Sequence, residues 1–161
     1  MDPLSVPEQI LILRSDIFSA LGELNSLRRT LPSSRYALVS LGAECATIGV
    51  ILRGFHDKLV AQQTPPNSLA EEVLQTVSSS VRGCFITLSE VNDEISEIKR
   101  RTTAEGPLDG SGAAGRPIDT DRIRRLIDLV RDHRNAIWSL QSALERSCGD
   151  TSGVPTSHGG L

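Results

Sequence analysis

The sequence predicts an all-α protein, an antiparallel four-helix bundle with long helices and a flexible glycine-rich linker before the last helix. Four long stretches carry apolar residues alternately three and four positions apart, the spacing of one side of a helix. Aromatic residues make up only 3% of the chain, so its core must be aliphatic, which suits helices packed on helices. Proline- and glycine-containing breaks separate the four stretches, and each stretch is therefore predicted to be one helix.

The first predicted helix begins at Ser5-Val6-Pro7-Glu8, a capping box in which the serine and the glutamate satisfy free backbone N–H groups. Proline is tolerated in the first turn of a helix. We expect the helix to end near Leu31, because Pro32 follows. Its apolar stripe, which no charge interrupts, consists of Ile10, Leu13, Ile17, Ala20, Leu24, Leu27 and Leu31.

The second predicted helix starts after the Ser33-Ser34 pair, which offers an N-cap, and ends near Gln63. Its apolar stripe consists of Leu38, Leu41, Cys45, Ile48, Leu52, Phe55 and Leu59. Gly42, Ala46 and Gly49 flank this stripe. Small residues in that position allow another helix to come close, either inside the bundle or from a second copy of the chain.

The third predicted helix is the longest and opens with a second capping box, Ser68-Leu69-Ala70-Glu71. Its apolar stripe consists of Val73, Val77, Val81 or Ser80, Cys84, Leu88, Val91, Ile95 and Ile98, and we expect Gly83 to bend the helix. Residues 103–118 then combine four glycines with two prolines. That composition cannot bury enough apolar surface to order itself, so it predicts a flexible linker.

The fourth predicted helix is capped by Asp119 or Thr120. Its stripe consists of Ile123, Leu126, Val130, His133, Ile137, Leu140 and Leu144. Trp138 lies beside this stripe, and we expect it to pack in the core rather than to contact a partner. Residues 1–148 are thus predicted to form one bundle domain, and residues 149–161 a disordered tail rich in Ser, Thr, Gly and Pro.

Charges predict how the last two helices pair. Three arginines stand in the first turn of the fourth helix: Arg122, Arg124 and Arg125. The helix dipole disfavours cations there, so they need acidic neighbours. The third helix carries an acidic stripe near its end: Glu90, Glu94 and Glu97. An antiparallel fourth helix would bring the two sets together.

Composition excludes several classes of function. A net charge of -3 and a pI near 5.6 give no broad attraction for nucleic-acid phosphates, so no nucleic-acid partner is expected. Three cysteines without a CxxC pair favour a reducing compartment, and we expect a cytoplasmic protein. The N-terminus lacks the pattern of a signal peptide. The most membrane-like segment, residues 36–52, is shorter than about 20 residues and contains Glu44, so no spanning helix is predicted.

No motif in the chain predicts catalysis, a cofactor or a metal. Residues 110–115 match GxGxxG literally, but a helix precedes them and Arg116-Pro117 follows, whereas a dinucleotide fingerprint requires a strand before and a helix after. Cys45, Cys84 and His133 fall on apolar stripes, where a thiol behaves as a small hydrophobe. We therefore predict no enzyme, and a Cys/His site built across helices is the alternative.

The basic run Lys99-Arg100-Arg101 has two interpretations. It could recognise anionic lipid or a kinase, with Thr102 and Thr103 as phosphate acceptors. Cations at the C-terminus of a helix also complement its dipole, and we favour this second interpretation.

Met1-Asp2-Pro3-Leu4-Ser5-Val6, followed by leucine-rich helices over residues 1–148, resembles the fungal N-terminal domain of STAND proteins. This family is also named after the N-terminal domain of the azaphilone pigment cluster protein L. The resemblance implies an α-helical module at the head of proteins that often continue into NTPase or ankyrin-repeat regions. It also implies a role related to the HeLo-type helical domains of fungal cell-death signalling.

The chain departs from that family in two places. Family members usually follow MDPLSV with an apolar run of small residues, but Pro7-Glu8-Gln9 and Arg14-Ser15-Asp16 intervene here, which disfavours a membrane-inserting first helix. No Walker motif or ankyrin repeat follows, so we expect a free-standing module or a short gene product. The predicted function is non-enzymatic interaction with a protein partner or a second copy through a helix face. The alternative is a HeLo-like membrane-acting cell-death effector.

Overall fold

The computed structural model describes residues 5–62, 71–104 and 118–149, and these ranges contain the four predicted helices and no strand. Helix α1 spans Val6–Thr30, α2 Arg35–Gln62, α3 Glu71–Ala104 and α4 Thr120–Gly149. A single 3₁₀ turn, Pro32–Ser34, joins α1 to α2. The all-α prediction is therefore confirmed.

The described helix starts follow the predicted capping chemistry. The Glu8 carboxylate accepts hydrogen bonds from the backbone N–H and the hydroxyl of Ser5, both at 2.8 Å. At α4, the Asp119 carboxylate accepts a hydrogen bond from the Arg122 backbone N–H at 3.0 Å, so Asp119 rather than Thr120 is the cap. Ser68, on which the other predicted capping box depends, lies outside the described residues.

The four helices form a square bundle in which α1 and α4 each pack against both α2 and α3. Glu44 of α2 pairs with Arg134 of α4, and a second ion pair joins the two helices further along both, so α2 and α4 run parallel. Residues from the first halves of α1 and α3 line one pocket, and Glu23 pairs with Lys99 near the ends of both helices, so α1 and α3 run parallel as well. Helices α1 and α2 run antiparallel, as do α3 and α4. The chain thus runs up, down, up and down, with α2 and α3 on opposite corners.

The predicted apolar stripes meet in one core. Buried hydrophobic residues from α1 and α2 are Ile10, Leu13, Ile17, Ala20, Leu24, Leu27, Leu38, Leu41, Cys45, Ile48, Leu52, Phe55 and Leu59. Those from α3 and α4 are Val77, Val81, Cys84, Leu88, Val91, Ile95, Ile98, Ile123, Leu126, Ile127, Val130, Ile137 and Leu144. Four predicted stripe members are only half-buried: Leu31, Val73, His133 and Leu140. At the ambiguous position of the third stripe, Val81 is buried and Ser80 half-buried.

The prediction that Trp138 packs in the core is wrong, because 58% of this side chain is exposed. Ile137 already occupies the core position, and the next residue on a helix points about 100° away from it. Arg134 and Gln141, one turn to either side, both contact α2. Trp138 therefore lies on the flank of α4 that faces α2, with its ring in solvent.

The predicted charge pairing between α3 and α4 is confirmed for one of the three arginines. Arg122 Nε lies 2.7 Å from Glu94 Oε2, and Glu94 is buried. This close ion pair lacks hydrogen-bond geometry, and that oxygen has no hydrogen-bond donor among the described residues. Arg124 instead pairs with Asp121 on its own helix. Glu97 is neutralised by Arg100 and Arg101, one turn further along α3.

The end of α3 corrects one predicted boundary. Thr103 and Ala104, assigned to the linker, still belong to the helix. The rest of that linker up to residue 117, which includes the GxGxxG match, lies outside the described residues. Gly149, the first residue of the predicted tail, still belongs to α4, and residues 150–161 lie outside the described residues. Within α3, Gly83 stands in an unbroken helix, where it lets α4 approach.

Candidate functional site

The three residues that invited a Cys/His site do come together in the bundle interior. Cys45, Cys84 and His133 line one small cavity of about 20 Å³, on three different helices. Thr87 lines it too, and its Oγ1 lies 2.9 Å from His133 Nε2, within hydrogen-bond distance. The histidine is therefore a half-buried residue with a hydrogen-bond partner. A cavity of this size holds about one water molecule and no substrate.

The pKa values of the two thiols argue against a reactive cysteine in the cavity. Burial raises the pKa of the Cys45 and Cys84 thiols to about 12, and Glu44 adds a repulsive charge near Cys45. Since the thiolate is the nucleophile, neither sulfur is activated near neutral pH. Burial also lowers the pKa of His133. Within the part of the chain that the structure describes, no group of three His, Cys, Asp or Glu side chains could hold a metal ion.

We expect both interior thiols to resist alkylation in the folded protein. In a Cys148→Ser background, iodoacetamide should label Cys45 and Cys84 slowly, and the labelling rate should still be rising at about pH 10 without levelling off, because a pKa near 12 keeps the thiolate fraction small throughout this range. Denaturant should release both thiols at the rate of a free cysteine. Peptide mass spectrometry after timed quenching measures this. Fast labelling of either thiol without denaturant would contradict the burial and restore the Cys/His alternative.

All three basic side chains at the end of α3 form ion pairs within the bundle. Lys99 pairs with Glu23 of α1, and Arg100 and Arg101 both pair with Glu97, at 2.8 and 2.7 Å. The two candidate phosphate acceptors are also engaged. Thr102 and Thr103 donate hydrogen bonds to the Lys99 carbonyl oxygen at 2.9 and 3.0 Å. These pairings favour the structural interpretation of the run over a lipid or kinase site.

An open apolar groove of about 600 Å³ lies between α1 and α2. We call it the α1–α2 groove. Its apolar lining comes from both helices: Leu11, Phe18 and Leu21 from α1, and Ala46, Gly49 and Val50 from α2. Phe18 is 79% exposed and Val50 72% exposed, high fractions for large hydrophobic side chains. Adjacent exposed apolar groups of this kind mark interaction sites in soluble proteins.

Small residues of α2 keep the groove open. A Cβ added to Gly42 would lie 3.9 Å from Leu21, and one added to Gly49 would lie 3.5 Å from Ile17. These are ordinary van der Waals separations, so α1 is not pressed onto the two glycines. Together with Ala46, Gly49 forms a low floor between the larger side chains of the two helices. Of the three small residues that the sequence singled out, Ala46 and Gly49 thus line the groove, whereas Gly42, which faces Leu21 of α1, is not part of its lining.

Two arginines, Arg14 of α1 and Arg53 of α2, also line the groove. Among the described residues neither guanidinium has an ion-pair or hydrogen-bond partner. No acidic side chain is part of the groove lining. The groove is therefore apolar and cationic.

The exposed side of α2 continues this surface. Between Arg35 and Arg53 the only charged residue of α2 is Glu44, which accepts hydrogen bonds from Arg131 at 3.1 Å and Arg134 at 2.6 Å. The outward side of the helix between them therefore offers no free charge. Within the described residues one helix, Arg35–Ala61, is long and apolar enough by length and composition to cross a membrane, and 33% of its apolar window is buried in the bundle.

Sequence reasoning did not find this groove, although a signal was present. Leu11 and Phe18 are seven positions apart, so they share a second apolar line on α1 beside the predicted stripe.

No family model, no curated protein and no solved structure matches this chain. A proposal for its function therefore depends on the α1–α2 groove.

Proposed function

We propose that this protein is a non-enzymatic helical interaction module that binds a protein partner, or a second copy of itself, through a helix face. The observation that carries the proposal is the α1–α2 groove, where Phe18 is 79% exposed beside Val50 and Leu11. Leaving these side chains in water forfeits about 1.5 to 3 kcal/mol each relative to burial, which a partner would recover in part. Burial of these side chains in the groove would thus contribute favourable free energy to the binding of a partner.

Two features support an interaction role over catalysis. The interior cavity has room for about one water, and the thiols beside it are not activated. The four helices build a rigid scaffold, on which a binding face is held in one geometry. A helical signalling module of this kind is also what the resemblance to the N-terminal domains of STAND proteins implies, and a cytoplasmic location belongs to the same proposal.

Substitutions in the groove test the proposal. We expect Phe18→Asp and Val50→Asp to abolish partner capture, or the dimer if the partner is a second copy, while leaving the fold intact because both side chains are exposed. Pull-down from native extract and size-exclusion chromatography with light scattering measure the two outcomes. Ile86→Asp is the matched control, since Ile86 is 60% exposed on α3 and is not part of the groove. A strict monomer without partners, or equal binding by all variants, would contradict the proposal.

A second candidate is a membrane-acting effector, favoured by the length and the apolar character of Arg35–Ala61. To enter a bilayer, α2 would have to leave the bundle, exposing its core side chains and breaking the ion pairs of Glu44 with Arg131 and Arg134. Leakage of dye from anionic vesicles tests this candidate. Absence of leakage at all protein concentrations tried would remove it.

A further inference from the structure

We infer that the α1–α2 groove takes an amphipathic helix from another protein, with a carboxylate of that helix placed between Arg14 and Arg53, an inference that rests on the proposed function. Both arginines line the groove, one from each of its walls. The proposed function requires only an apolar contact. The two arginines further specify the partner helix, which should carry an apolar stripe flanked by Asp or Glu.

The first reason is the state of the two guanidinium groups. Four basic side chains that border another helix pair with carboxylates: Arg131 and Arg134 with Glu44, Arg122 with Glu94, and Lys99 with Glu23. Arg14 is half-buried, yet neither it nor Arg53 has such a partner among the described residues. A carboxylate from outside would satisfy both, and hydrogen bonds between guanidinium and carboxylate are among the strong ones in proteins.

The register of α1 and α2 places these two cations at the same level. Leu21 lies opposite Gly42, and Ile17 lies opposite Gly49, so the antiparallel helices bring Arg14 to the level of Arg53. Two like charges that face each other across an apolar floor repel. An anion bound between them removes the repulsion, and the apolar lining next to them excludes water from the contact.

The shape of the groove specifies a helix as the occupant. Leu11 and Phe18 lie about 10 Å apart along α1, which is two helical turns. A helix laid in such a groove presents anchors at positions i, i+3 or i+4, and i+7, and these cover the same length. The concave floor at Ala46 and Gly49 accepts protruding side chains. A flat membrane surface would meet the outer rim and leave this floor empty.

A second copy of the chain fits less well. In a two-fold symmetric dimer the same patch meets itself, so a contact through the groove would bring Arg14 and Arg53 of both copies into one interface. No acidic residue of the groove lining would compensate them. Charge complementarity therefore favours a different protein that supplies the acidic groups.

A displayed library tests this inference on the full-length protein. The library consists of helical peptides of about 18 residues with leucine fixed at i, i+4, i+7 and i+11, and with Glu, Lys or Ser randomised on the flanks. We expect selection to enrich Glu on the flanks. Enriched peptides, measured by fluorescence anisotropy, should bind Arg14→Glu/Arg53→Glu at least about tenfold more weakly, while Lys-flanked peptides should bind this variant better than the parent. Ile86→Asp serves as the control and should bind as the parent does.

The outcomes separate the inference from the proposed function. Loss of peptide binding in Phe18→Asp without any effect of Arg14→Glu/Arg53→Glu overturns the carboxylate and leaves the groove as the binding face. Binding that neither variant weakens overturns both. A selection that enriches no peptide, or enriches Lys on the flanks, overturns the inference. Vesicles of phosphatidylserine and phosphatidylcholine form the comparison arm, and arginine-dependent binding to them without peptide binding assigns the groove to anionic lipid and also overturns it.

Discussion

Replacement of Leu52 by aspartate should unfold the domain. Leu52 is fully buried on α2, in the centre of the aliphatic core. Loss of the leucine side chain alone costs about 2 to 5 kcal/mol. The carboxylate that replaces it has no cationic partner in the core, and an unpaired buried charge adds a further penalty. Domains of this kind are stable by about 5 to 15 kcal/mol, so the sum removes most or all of that stability.

Thermal melting followed by far-UV circular dichroism measures this effect. Leu24→Asp on α1 should behave in the same way, because Leu24 is buried as well. Ala43→Asp is the matched control, since Ala43 lies on the exposed side of α2 and should melt close to the parent. If Leu52→Asp or Leu24→Asp melted like the parent protein, the assignment of the apolar stripes to the core would be wrong.

Gly83→Ala should destabilise the bundle, although alanine is normally the better helix former. A Cβ at position 83 would lie 2.8 Å from His133 Cε1, closer than real Cβ contacts come. The imidazole ring must shift, which strains its hydrogen bond with Thr87. Overpacking of this kind costs about 1 to 3 kcal/mol, whereas replacing a glycine in a helix gains at most about 1 kcal/mol, so over most of this range the loss is the larger. Urea denaturation should show the net loss.

Two comparisons isolate the cause. Gly22 also stands inside a helix, but no atom lies within 4 Å of a Cβ added there, so Gly22→Ala should stabilise the protein by about 0.5 to 1 kcal/mol. In a His133→Ala background, Gly83→Ala should lose its penalty and become stabilising as well. A double-mutant cycle measures this coupling. Equal effects of Gly83→Ala in both backgrounds would show that the contact with His133 does not limit the approach of α4 to α3.

Much of the fold could be predicted from the sequence, because the spacing of apolar residues along each helix indicates which side of that helix is buried. Ile10 to Leu27 on α1 and Leu38 to Leu59 on α2 are buried as their three- and four-residue spacing predicted. Local capping chemistry placed the starts at Ser5 and Asp119. These signals are carried within one element, so they can be read without knowing the neighbours.

The order of helices around the bundle could not be predicted in this way. A stripe faces the core whichever two helices flank it, so nothing in the spacing placed α2 and α3 on opposite corners. The groove depends on that same missing information. Arg14 and Arg53 are 39 positions apart in the sequence, and only the register of α1 against α2 brings them into one lining. Trp138 was misplaced for a related reason, since a residue next to a stripe can point either to a neighbouring helix or to solvent.

The exposure of Trp138 has a practical consequence for spectroscopy. The chain has one tryptophan and one tyrosine, and Trp138 and Tyr36 are both exposed, so Phe55 is the only fully buried aromatic ring in the described core. Indole emission depends on contact with solvent, and it therefore reports poorly on whether the aliphatic interior is intact. Trp138 can instead report on its own surface. A molecule that covers the flank of α4 facing α2 should shift the indole emission to the blue while the interior stays unchanged.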